Sequence, residues 1–70
     1  MAIIKEEKIN NGSYGNFKSG ATIYLEKYRE DSYEVMIGNI HGRHRQRFSR
    51  HDNLVEAIES YKKAKMLVEA

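Results

Sequence analysis

Basic side chains crowd one short stretch of this 70-residue chain. From Gly38 to His51 there is no carboxylate, while Arg43, Arg45, Arg47 and Arg50 are joined by His41, His44 and His51. If residues 43–48 form a strand, Arg43, Arg45 and Arg47 project from one face at intervals of roughly 6.6 Å. That is close to the phosphate spacing of a nucleic-acid strand. The planar donor fork of Arg suits phosphate oxygens and the major-groove edge of guanine. Tyr24 and Tyr28 fall on the same expected face and add rings on which single-stranded bases could stack. Arg50 and Lys27 are expected at the rim. The formal charge of the whole chain, +2, says little about partners. The local concentration of charge carries the reading that this face binds nucleic acid, DNA before RNA.

Two other readings use the same residues. Edge strands carry cations to block unwanted pairing, and Glu26 and Glu34 on the same face could pair with the arginines to make an ordinary solvated surface. The face could also dock on an acidic protein surface, making the chain an interaction or inhibitory module.

Other chemistry finds little support. The three histidines have no Cys to complete a zinc set and no Asp or Glu between His41 and His51, so no metal is expected. Glu30-Asp31 reads as a turn, not a catalytic carboxylate pair. Ser13, Ser19, Ser32, Ser49 and Ser60 lack a recognisable base partner. Gly12-Ser13-Tyr14-Gly15 lacks the Lys and the strand-to-helix setting of a phosphate loop. We therefore expect no enzyme and no cofactor.

The elements that must position these side chains form one small α+β domain spanning residues 1–70. It is expected as a three-stranded antiparallel sheet packed on one C-terminal helix, with an N-terminal extra strand possible. Ile3 to Ile9 reads as an edge strand or ordered arm, with Ile3 and Ile9 on one face and Ile4 on the other. Asn10 to Gly20, rich in Gly, Asn and Ser, reads as a loop. The sheet is expected over residues 21–48. Ala21–Arg29 turns at Glu30-Asp31-Ser32 into Tyr33–Ile37, and a second turn at residues 38–42 leads into Arg43–Phe48. Ile23, Leu25, Val35, Ile37 and Phe48 share the core face. A helix is expected over residues 50–69, its run from Asn53 to Glu69 free of Gly and Pro. Ser49 or Asp52 is the expected cap. Leu54, Ile58, Tyr61, Ala64 and Val68 form the core stripe, widened by Ala57 and Leu67.

So short a chain buries a small core and has little room for a deep cavity, which favours action through a surface. It contains no Cys, so disulfides and thiolate chemistry are excluded. No stretch approaches the roughly 20 apolar residues of a membrane span. Met1-Ala2-Ile3-Ile4 runs straight into charged residues, unlike a secretory leader. A cytoplasmic protein is expected, and a homodimer would supply additional core.

The order of elements resembles the DNA-binding domain of plant ethylene-response factors and the arm-site-binding domains of integrases. The likeness rests on Tyr33-Glu34-Val35-Met36-Ile37, the basic residues from Arg43 to Arg47, Phe48, and the Ala57…Tyr61…Ala64 spacing. It extends over about Ile23 to Leu67. The second strand lacks the Trp common in that group, and Gln46-Arg47 stands where a Gly often precedes the aromatic. The resemblance implies a sheet face that enters the major groove through Arg43, Arg45 and Arg47. It further implies an accessory or regulatory protein of a phage or other mobile element.

Overall fold

Strict alternation in the two central strands decides which way the sheet faces. Ile23, Leu25, Val35 and Ile37 are all buried beneath the helix, and each such side chain contributes roughly 1.5–3 kcal/mol by leaving water. The computed structural model describes residues 2–15 and 17–69; Asn16, expected in the first loop, lies outside them. The chain runs β1 (Ala2–Ile9), β2 (Ala21–Arg29), β3 (Ser32–Asn39), β4 (Gln46–His51) and α1 (Leu54–Glu69). The strands form one antiparallel sheet in the order β1-β2-β3-β4, and α1 packs against β2, β3 and β4. This is the α+β sheet-and-helix fold expected from the sequence, with the N-terminal strand realised as β1.

Three register shifts set side-chain directions that simple alternation misses. In β1 the shift falls between Ile3 and Lys5, which pair with adjacent residues Glu26 and Leu25. Ile4 is the extra residue and turns toward α1, where it lines a groove with Leu25, Ile58 and Tyr61. Ile4 and Ile9 therefore share the helix side and Ile3 does not, contrary to the expected split. At the β2–β3 hairpin, Asp31 takes a positive φ of 59°, a conformation that Asp tolerates better than most residues. In β4 the shift places Val35 opposite Ser49 and Met36 opposite Arg47. Phe48 is the extra residue, so Phe48 and Ser49 both face the helix.

The helix starts later than residue 50, and neither expected residue caps it. Asn53 Oδ1 accepts from the backbone N–H of Glu56 at 2.9 Å, while Asn53 Nδ2 donates to the Glu56 carboxylate at 3.1 Å. These bonds satisfy an otherwise orphaned first-turn donor. Ser49 instead hydrogen-bonds Ser60 on the helix and His51 Nε2. The buried stripe of α1 is Ala57, Tyr61, Ala64 and Val68. Leu54, Ile58 and Leu67, expected in the core, flank the buried stripe and stay at least one-third exposed, Ile58 bordering the groove between α1 and β1.

The first loop closes the end of the core. Phe17 is buried, Tyr14 packs beside it, and the Tyr14 ring meets Phe48 edge-on at 6.4 Å. Ser13 N–H donates to the Val68 carbonyl at 3.0 Å, and Gly12 lies so close to Val68 that a Cβ would collide with it. At the other side of the domain, Tyr61 donates to Glu7 at 2.8 Å and Lys65 pairs with Glu7 at 2.9 Å, tying β1 to α1. These partners hold the Glu7 carboxyl below its ordinary pKa, led by the Lys65 hydrogen bond. Burial, followed by the Glu7 contact, pushes the Tyr61 hydroxyl well up.

Candidate nucleic-acid interface

The sheet face opposite α1 carries the residues singled out for binding, but not as a simple row. β4 begins at Gln46, not Arg43. His44 adopts a left-handed φ of 56°, which interrupts an extended strand and costs roughly 1–2 kcal/mol in a non-glycine residue. Arg43 consequently lies in the β3–β4 loop, and the expected triad of strand arginines is not formed. The bulge at Phe48 compensates by bringing Arg50 onto the outer face, opposite Glu34. The outward arginines are Arg45, Arg47 and Arg50.

Asn39 organises the loop that delivers them. Its Oδ1 accepts from the N–H groups of His41 and Arg43, both at 2.9 Å. Its own N–H donates to the Arg43 carbonyl, and its carbonyl accepts from Gly42, both at 2.8 Å. The loop thereby folds back over the sheet. Gly42, at φ 76°, approaches the Tyr24 hydroxyl so closely that a Cβ would stand 2.5 Å from it. An Asn followed three residues later by Gly is an ordinary turn signal. Its role in aiming arginines was not legible without knowing where the loop folds.

Arg45 is the best held of the three. Its guanidinium lies 4.1 Å from the Tyr24 ring centroid, hydrogen-bonds Glu26 at 3.2 Å and reaches the Gly42 carbonyl at 3.4 Å. Glu26 is only 3% exposed and Tyr24 only 2%. The Tyr24 ring is therefore covered and cannot stack on bases, contrary to its expected role. Arg47 pairs with Glu34 at 3.1 Å, again with the carboxylate beneath and the guanidinium more exposed. Each carboxylate occupies only part of a five-donor fork, so outward N–H groups remain.

Arg50 sits in different surroundings. It lies 5.3 Å from the Tyr28 ring, while Arg29 lies 5.1 Å from that same ring. Arg50 Nε also donates to Ser32 at 3.2 Å. Among the described residues, neither Arg29 nor Arg50 has a carboxylate within ion-pair distance. Arg29 was not singled out from the sequence; its position beside Tyr28 depends on the hairpin geometry. Lys27 moves the other way. It pairs with Tyr33, whose ring packs on the core, so Lys27 belongs to the helix side and leaves the proposed rim.

The histidines do not share one place. His41 and His44 line a cleft at the loop end with Phe17, Lys18 and Asn39, while His51 faces Ser49. No helix among the described residues is long and apolar enough to cross a membrane. Comparison with protein-family models, curated proteins and solved structures returns no match.

Proposed function

We propose that this domain binds duplex DNA through the outer sheet face, with Arg45, Arg47 and Arg50 as the principal contacts and Arg29 and Arg43 at its ends. The observation that carries the proposal is the vertical order of charge. Buried or half-buried Glu26 and Glu34 sit below more exposed guanidiniums, so each ion pair orients an arginine instead of hiding it. Oriented guanidiniums suit phosphates and base edges. The cover over Tyr24 removes one of the two rings on which unstacked bases could stack, which favours a duplex over a single strand. The resemblance to ethylene-response and integrase arm-binding domains points the same way.

Binding should be measured against duplex DNA, single-stranded DNA and RNA across a salt series. Three phosphate contacts give a log–log salt slope of about −3, and each Arg→Ala change at 45, 47 or 50 should flatten it by about one. Absence of binding to all three nucleic acids at low salt would sink the proposal. A single acidic protein recovered at one-to-one stoichiometry through the same arginines would replace it with the interaction-module reading. Duplex binding that survives Ala at all three positions would move the site off this face.

A further inference from the structure

The back of α1 carries a second surface that the nucleic-acid reading does not use. Val55 and Met66 are the most exposed large apolar side chains, at 69% and 71%. They stand about three helical turns apart, which returns them to the same side of the helix. That side is opposite the buried stripe of Ala57, Tyr61, Ala64 and Val68. Between them lie Glu59 and Lys62, both exposed. The run Val55, Glu59, Lys62, Met66 steps by four, three and four residues, the spacing of a helix-pairing seam.

We infer that this seam pairs α1 with α1 of a second copy, antiparallel about a two-fold axis at the middle of the helix. In that arrangement Val55 meets Met66 of the second copy, Glu59 meets its Lys62, and both contacts repeat by symmetry. Glu56 on the flank comes beside Lys63 of the second copy. These facing charges are opposite in sign, because Glu56 and Glu59 lie in the first half of the helix and Lys62 and Lys63 in the second. Glu56 in the first turn also suits the helix macrodipole, so charge alone does not call for a partner. Val55 and Met66 add the most exposed apolar area among the described residues at the two ends of the same seam, which the dipole does not account for. A parallel pair would set Glu59 against Glu59 and Lys62 against Lys62, which commits the seam to the antiparallel choice.

One consequence rests on the DNA-binding proposal. The arginine face lies on the far side of the sheet from α1, so the two copies present their arginines in opposite directions. Such a dimer joins two separate duplex segments instead of reading adjacent half-sites on one.

Sedimentation of the full chain without nucleic acid tests the pairing independently of DNA binding. The wild type should pass from the 8.2 kDa monomer to a dimer as concentration rises. E59K and K62E should each weaken dimerisation by about tenfold or more, because symmetry makes every reversed charge count twice. An equimolar mixture of the two variants should recover a heterodimer, and the double variant E59K/K62E should recover a homodimer. Circular dichroism should show the same helix content throughout, since both positions are exposed. A wild type that stays monomeric to about millimolar concentration, a dimer indifferent to either reversal, or a mixture that fails to pair overturns the inference.

Discussion

Arg45 and Arg50 both cover a tyrosine on one sheet face, yet the two clusters are built on different principles. Arg45 stacks on Tyr24 over a carboxylate, and the β3–β4 loop closes around them, leaving Tyr24 and Glu26 almost without solvent contact. Arg50 shares Tyr28 with Arg29 at the hairpin end, where the ring is 38% exposed and, among the described residues, no carboxylate pairs with either cation. Burial strengthens a charge interaction and raises the penalty for breaking it, whereas exposed cation–ring contacts are weaker and adaptable. One cluster therefore fixes geometry, and the other leaves charge available to a partner. The same residue type on the same face is anchored over a carboxylate at one end and left without one at the other, among the described residues.

That contrast can be broken by removing each arginine in turn. Arg45→Ala leaves Glu26 buried without its ion-pair partner, and the expected loss is about 2–3 kcal/mol in chemical unfolding. Arg45→Ala with Glu26→Leu should regain much of it; equal instability in both variants would show that Glu26 is not the reason. A smaller effect is expected from Gly42→Ala. It places a Cβ against the Tyr24 hydroxyl at a positive φ, and should cost about 1–2 kcal/mol in thermal unfolding while weakening DNA binding. Unchanged stability there would mean that the loop does not rest on Tyr24. Arg50→Ala should move stability by no more than about 0.5 kcal/mol, yet flatten the salt dependence of DNA binding as strongly as Arg47→Ala. A large stability loss at Arg50 would erase the distinction between the two clusters.

Much of the fold could be read directly because its rules are local. Period-two alternation gave the core faces of β2 and β3, and the uninterrupted helical run gave α1. The site was less legible, and the errors share a cause. Arg43 was expected on the strand because alternation carries no sign that His44 would turn left-handed. Arg50 was expected only at the rim because the bulge at Phe48, which turns it outward, has no local signature. Lys27 was expected at the rim, although strand parity puts it on the side opposite Tyr28. Leu54 and Ile58 read as core because a periodic stripe does not reveal where on the sheet the helix will sit.

The order of residues by itself determined a helix, a set of antiparallel strands and an acid-free arginine segment. Those features follow from side-chain periodicity and composition, which act over a few neighbouring positions. Tertiary structure alone decided which arginines stand on carboxylates and which, among the described residues, do not. That outcome depends on Glu26, Tyr24 and Gly42 meeting across strands and a folded-back loop. Contacts between residues so distant in the chain are set by bulges and loop closure, whose energies are a few kcal/mol and leave no periodic trace.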